Sequence, residues 1–465
     1  MKIRKFIVTL LSAVMMISCV TPLSSAAYNF TPYVSDGEGG TKPINIYSEA
    51  VYMVNTDTGD VIVDINADEV RVPASLTKIM TAVVCLEHFK DDPDKMKTEF
   101  VHGDNTAFDE LYGTGASTAD IRPFEDVCYY DLLCALMLPS SCEAANIIAL
   151  NLSDSIPHFC DMMNEEAEKI GMENSHFSNA HGLFANKNYS TCRDMAKLTQ
   201  YAYDNFPAFA EIVAKPTYNL PVTDDHPDGT MIVNTNEMLD ETSEYYYSPV
   251  KGVKTGTLDE AGRCLVTAAS LNGKNYMIVT MGAPLYKEGT DEPVMYSMRD
   301  HKALYQWAFY HLVETDFINV NSEVTDVKVE FAEEGESVNL KPADGFKRDW
   351  PDNIELKDIK QSITLAENVV APVYEGDKLG KLTLSYKGEE LASVDLIATS
   401  SVARSETDAK MRIAKSFFSS KEFKLCVGGI IFLFAAYTSV FIYKLQHKYV
   451  KRPVKDDDEY DDYDE

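Results

Sequence analysis

A chain of 465 residues with 45 % hydrophobic content has room for two or three domains and at least one large core. Its formal net charge of −31 argues against nucleic acid as a partner, because one polyanion repels another. Part of that charge is gathered in "DDDEYDDYDE" at 456–465, which reads as a solvated tail.

The N-terminus has the pattern of an export signal over residues 1–26. Lys2, Arg4 and Lys5 precede an apolar run from Phe6 to Val20, and "SSA" at 24–26 offers small residues for cleavage. "MISC" at 16–19 is a poor match to a lipoprotein site. Residues 27–45, rich in Gly, Ser and Pro, read as a leader. "AVYMVNTDTGDVIVDINADE" alternates apolar and polar residues around a turn, a hairpin signature. Residues 74–90 have helical spacing, with Leu76, Ile79, Met80, Val83, Val84 and Leu86 on overlapping faces. Residues 126–151 hold two apolar helical stretches broken at "LPSSC", and 157–170 and 192–205 are also helical in pattern. "GRCLVTAASLNGKNYMIVTMGA" at 262–283 reads as two strands joined by a tight turn. An amphipathic helix is expected over 300–314.

Strands thus lie at both ends of a segment spanning 46–317, with helices between them. The expected class is α+β, an antiparallel sheet drawn from both ends and packed on a helical cluster. Residues 318–400 change character to short alternating strands, "VTDVKVEF", "QSITLA", "KLGKLTLSY" and "EELASVDLIA", a small all-β domain. A polar helical stalk is expected over 401–423. Leu425 to Tyr443 carry no charge, so a membrane helix is expected over 424–443. Lys444, Lys448, Lys451, Arg452 and Lys455 follow it, which places the tail at 444–465 in the cytoplasm and the rest outside.

Nine cysteines are present, of which Cys19 lies in the signal and Cys426 in the membrane helix. The remaining seven are odd in number and show no framework spacing. Cys85, Cys128 and Cys134 sit in apolar runs and read as small core residues. Free thiols in an exported chain suit a reducing or oxygen-poor habitat.

Three short stretches carry chemistry. In "RVPASLTKIM", Ser75 and Lys78 are three apart and share a helix face, with Pro73 at the helix entry. A lysine desolvated in an apolar helix loses basicity and can serve as a general base. A second S-x-x-K, Ser248 to Lys251, shows that the spacing alone is not specific. "VKTGTLDEAGRC" at 253–264 reads as an edge strand beside a ligand. Lys254 supplies charge, Thr255 a hydroxyl, and Gly256 room for a substrate backbone. "LPSSCEAA" at 138–145 puts two serines at a helix break. "DDHPD" at 224–228 reads as a solvated loop rather than a metal site.

Taken in order, S-x-x-K, S-x-C and K-T-G resemble the S-x-x-K, S-x-N and K-T-G set of the low-molecular-weight penicillin-binding proteins, specifically the serine D-alanyl-D-alanine carboxypeptidases. The resemblance extends to "TDTGDVIVDINADEVRVPASLTKIMTA", "SHFSNAHGLFANKNYSTCRDMAKL", "NTNEML" and "KTGTLDEAGRCLVTAA", over about residues 46–315. It implies a β-lactamase/transpeptidase-like catalytic domain followed by a small β domain and a membrane tether. It implies that Ser75 attacks the carbonyl between the terminal D-alanines of a peptidoglycan stem pentapeptide, with Lys78 as general base. Ser140 would relay the proton, Lys254 would support that network, and Thr255 would bind the terminal carboxylate. The backbone N–H groups of Ser75 and Thr257 would form the oxyanion hole. Gly256 would lie along the substrate. β-Lactams would acylate Ser75, and no metal or cofactor is called for.

This chain departs from the family pattern at Cys142, where Asn is usual, and a thiol is a weaker donor and acceptor than an amide. Thr235 stands where some relatives carry Arg, and Arg299 is a candidate carboxylate-binding cation. The alternatives left open are a D,D-endopeptidase or a β-lactamase on the same machinery, or a catalytically weak wall-binding scaffold.

Overall fold

The computed structural model describes residues 30–37, 40–333 and 336–450. The export signal and the acidic tail lie outside the described residues.

The chain forms two compact units. One runs to Ile318 and takes in Phe346–Gln361 and Thr383–Ser393; the other holds Asn319–Gly345, Ser362–Leu382 and the chain from Val394. In the first unit, β1 (Ala50–Asn55) and β2 (Val61–Ile65) form the expected hairpin. A 3-10 turn over Ala74–Leu76 leads into α1 (Thr77–His88), followed by α2 (Tyr129–Met137) and α3 (Cys142–Leu152). Ser141 caps α3 by accepting from the Ala144 N–H at 3.0 Å. The helix α4 (Ile156–Ile170) stops at Gly171, whose φ of +82° is the left-handed cap that glycine adopts freely. Next come α5 (Cys192–Asn205) and a hairpin of β3 (Thr217–Leu220) with β4 (Thr230–Val233).

The C-terminal strands close the sheet. β5 (Lys254–Leu258), β6 (Gly262–Leu271) and β7 (Lys274–Ala283) join β1 and β2 in the order β2-β1-β7-β6-β5, antiparallel throughout. Asn272 (φ 54°) and Gly273 (φ 80°) make the β6–β7 turn, the positive-φ pair that a two-residue hairpin requires. The expected α+β class and the sheet drawn from both ends are therefore found. All seven cysteines expected outside the signal and membrane helix are buried and unpaired, as a core role requires.

Three expectations change. Residues 27–45 are not merely a leader, because Phe30 and Tyr33 are buried and pack on Trp307. Tyr33 also donates its hydroxyl to Asp352. The helix expected over 300–314 is α6 (Tyr296–His311), which starts and stops earlier. The chain then extends into β8 (Leu312–Ile318), paired with Phe346–Pro351. Val313, Thr315 and Phe317 suit a strand, and the pairing partner lies too far along the sequence to be foreseen. Finally, Asp349 accepts from Asn55 Nδ2 at 2.8 Å and from Tyr276 OH at 2.6 Å. Residues 346–361 are thereby fastened to the first unit rather than grouped with the second.

The second unit holds antiparallel strands Thr325–Lys328 and Ser337–Pro342, the latter paired through Leu340 to Pro342 with residues 396–398. It ends in two helices, α7 (Glu406–Ser419) and α8 (Lys421–Val450). Over Lys421–Lys448, α8 is long and apolar enough to cross a membrane.

One tie in the first unit responds to pH. His226, in the β3–β4 turn, meets Glu125 through Nδ1 at 2.9 Å and Asp120 through Nε2 at 3.3 Å. The bond to Glu125, aided by Asp120, holds the imidazole pKa above its ordinary value of 6.5. A folded pKa above the unfolded one means that stability is fully present below about pH 6.5. It is lost as pH rises through the folded value. His226→Gln is therefore expected to lower the unfolding temperature more at pH 5.5 than at pH 9, measured by calorimetry at both.

Candidate active site

The N-terminal turn of α1 brings Ser75 and Lys78 together. Lys78 Nζ donates to Ser75 Oγ at 3.1 Å. The same nitrogen reaches the His181 carbonyl at 2.5 Å and the Cys142 sulfur at 3.4 Å. Lys78 is fully buried. Burial pushes its pKa below the usual lysine value, while Cys142 and Glu143 pull it partly back. Glu143 is itself buried and accepts from Thr118 Oγ1 at 2.6 Å and the Ala119 N–H at 2.7 Å.

A cleft of about 590 Å³ opens above this pair. It is lined by Ser75, Ser140, Thr235, Thr255, Gly256, Thr257 and Arg263, among others. Ser140 follows α2 with φ of +68°, and its buried Oγ has no partner among the described residues. Lys254 lies fully buried on β5 and donates to the Thr255 carbonyl at 3.2 Å. Burial, with the nearby Lys78 charge, drives its pKa well below the usual value. The hydroxyls of Thr255 and Thr235 meet at 2.6 Å. A Cβ at Gly256 would be tightly placed, 3.1 Å from the Pro73 carbonyl oxygen and 3.2 Å from the Ser75 nitrogen. β5 therefore runs tight against the nucleophile turn.

The geometry assembles Ser75, Lys78, Ser140, Lys254, Thr255, Gly256 and Thr257, which are up to 182 positions apart along the chain. Two expected site residues fall differently. Cys142 is 2 % exposed and is not among the residues that line the cleft; its sulfur faces Lys78. Arg299 does not line the cleft either. Its guanidinium lies over the Tyr296 ring at 5.7 Å, and that ring is stacked on Tyr47. Asp300, next along α6, is bonded to the backbone of Tyr47 and Ser48, which fixes the orientation of this helix start. The cation that does line the cleft is Arg263.

Sequence reading missed Arg263, Ser117, Ser297 and the His181 carbonyl. The "HGL" stretch was a signal for the last, but a contact made by a backbone oxygen has no side-chain signature. The spare S-x-x-K is an ordinary turn, in which Lys251 Nζ reaches the Ser248 carbonyl at 3.5 Å.

Residues 38–285, more than half of the chain, match the D-alanyl-D-alanine carboxypeptidase family model. The chain belongs to the D-alanyl-D-alanine carboxypeptidase family. Residues 314–404 match the C-terminal domain of penicillin-binding protein 5. Family membership makes this a serine-type carboxypeptidase, a hydrolase. The chain is 26 % identical to D-alanyl-D-alanine carboxypeptidase DacF of Bacillus subtilis over 373 residues, covering 79 % of this chain and 90 % of that one. It is 33 % identical to the D-alanyl-D-alanine carboxypeptidase of Streptomyces sp. K15 over 243 residues, covering 50 % and 80 %. A solved structure described as the Streptomyces K15 DD-transpeptidase superposes with a TM-score of 0.51 at 29 % identity, covering 58 % of this chain and 99 % of that one. The structure of DacD from Francisella tularensis gives 0.62 at 23 % identity over 78 % and 95 %, a likeness of fold.

Proposed function

We propose that this carboxypeptidase removes the terminal D-alanine from peptidoglycan stem pentapeptides through an acyl-enzyme on Ser75. The observation that carries this is the 3.1 Å contact between Ser75 Oγ and the amine of a fully buried lysine, at the floor of an open cleft. Burial favours the neutral amine of Lys78, which accepts the Ser75 proton as Oγ attacks the carbonyl of the penultimate D-alanine. The backbone N–H groups of Ser75 and Thr257 hold the oxyanion. The C–N bond then breaks, and Ser140 passes a proton to the departing D-alanine amine. Lys254 supports that relay, and the hydroxyl of Thr255 binds the terminal carboxylate. Water attacks the ester with Lys78 again as base, which releases the shortened peptide and frees Ser75. β-Lactams stop this cycle at the acyl-Ser75 stage.

The apolar α8 helix supports a single-pass anchor, with the catalytic unit on the wall side and the C-terminus in the cytoplasm. The test of function is release of D-alanine from a pentapeptide ending in D-Ala-D-Ala. Wild type releases it and Ser75→Ala does not. A wild type that releases none refutes the proposal, and equal release by Ser75→Ala removes Ser75 from the mechanism.

A further inference from the structure

The cleft presents few lasting charges. Among the residues that line it, the carboxylic side chains are those of Glu237 and Asp240, and Arg263 is the one lysine or arginine. Lys78 and Lys254 lie beneath, and burial drives both towards neutrality. A substrate anion entering the cleft thus meets one lasting cation on its walls. Burial also lowers the Arg263 pKa, but a guanidinium starts so high that it stays charged.

Arg263 is also held in place. It faces Thr257 across the β5–β6 ladder, at the end of the cleft that Met295, Ser297 and Met298 line. Its Nε donates to the Val294 carbonyl at 2.9 Å and Nη2 to the Leu285 carbonyl at 3.4 Å. Neutral carbonyls orient the guanidinium without consuming its charge. Among the described residues, no carboxylate comes within ion-pair distance of it. Glu237 acts on it only at longer range and accepts from Ser243 Oγ instead. Acidic residues outnumber basic ones 73 to 42 in this chain, so a rigid, half-buried arginine with no carboxylate partner stands out.

We propose that Arg263 reads the free C-terminal carboxylate of the substrate, beside the hydroxyls of Thr255 and Thr257, and so makes the enzyme prefer release of a terminal residue over cleavage within a peptide. This rests on the D,D-carboxypeptidase reading above. Arg263 is a specificity residue, since the bond that breaks is handled by Ser75 and Lys78.

The test uses the full chain in detergent and two substrates, diacetyl-L-Lys-D-Ala-D-Ala and its C-terminal carboxamide. Wild type favours the acid. In Arg263→Gln, kcat/KM for the acid falls about 10- to 100-fold, the loss expected for one charge-assisted contact, and the amide changes less than about 3-fold. Arg263→Lys recovers part of the preference. Two results overturn the assignment: an acid-to-amide ratio unchanged in Arg263→Gln, or an equal fall on both substrates, which marks a structural role. A wild type inactive on both refutes the carboxypeptidase reading and takes this proposal with it. An active wild type with an unchanged ratio in the variant refutes Arg263 alone.

Discussion

Lys78→Met is expected to slow acylation of Ser75 by benzylpenicillin about 1,000-fold, without loss of the fold. A positioned general base contributes roughly 100- to 10,000-fold, and methionine keeps the apolar stem while removing the amine. Loss of the amine also leaves the His181 carbonyl and Ser75 Oγ without their donor. The stability effect has the opposite sign. Burial holds the Lys78 pKa below 10.5, so the folded chain binds a proton less readily than the unfolded chain. Stability from this group is fully present above pH 10.5 and is lost as pH falls through the folded pKa. At neutral pH Lys78 therefore carries a penalty that Met lacks. Wild type gains stability as pH rises towards 10.5, and Lys78→Met shows a flatter profile. A variant that is inactive only because it is unfolded contradicts this, and calorimetry beside penicillin labelling distinguishes the two.

The same lysine sets the pH profile. Acylation is expected to rise with pH as Lys78 loses its proton, with an acid limb below the usual lysine range. Cys142 raises the Lys78 pKa, so Cys142→Ala moves that limb to lower pH. A limb that stays in place, or moves up, shows that the thiol does not act on the lysine.

The second large effect is expected at Gly182. Its φ is +83°, and a Cβ there would lie 2.1 Å from the Ala74 carbonyl oxygen, a backbone atom. Gly182→Ala must displace either the Ala74–Ser75 turn or the segment that presents the His181 carbonyl to Lys78. That segment is tied down. Thr81 Oγ1 donates to the Ala180 carbonyl at 2.6 Å, and Asn188 Nδ2 donates to Thr77 Oγ1 at 2.9 Å. Backbone strain and overpacking together cost on the order of 2–4 kcal/mol, and the shifted nucleophile loses about 100-fold in acylation rate. Gly171→Ala is the control. Its φ is nearly the same, +82°, but nothing lies within 4 Å of the added Cβ. It lowers the unfolding temperature modestly and leaves acylation unchanged. Equal effects at both glycines would mean that strain alone, and not the contact with the nucleophile turn, matters at Gly182.

What was legible in the sequence was what is local. Ser75 and Lys78 share one helical turn, and Lys254, Thr255 and Gly256 share one strand, so spacing alone puts each set in one place. That the sets meet, with Ser140 between them, came from the resemblance, because no periodicity reports a contact across nearly 180 residues. The choice between Arg299 and Arg263 was not legible at all. Both sit beside recognisable elements, but the Tyr296–Tyr47 stack and the Asp300 bonds turn the start of α6 so that Ser297 and Met298 face the cleft and Arg299 does not. Gly182 and the His181 carbonyl act through backbone, where sequence chemistry is silent. Phe30 and Tyr33 were lost among the polar residues of the leader, because two aromatics do not make a period. The β8 strand was hidden by its continuity with α6.

The central claim is that Ser75 is the acylated nucleophile. Incubation of the full chain with benzylpenicillin, followed by proteolysis and mass spectrometry, tests it most directly. The predicted result is a penicilloyl adduct on the peptide that carries Ser75, absent from Ser75→Ala. No adduct in the wild type, or an adduct mapped to Ser140 or Ser248, would contradict it.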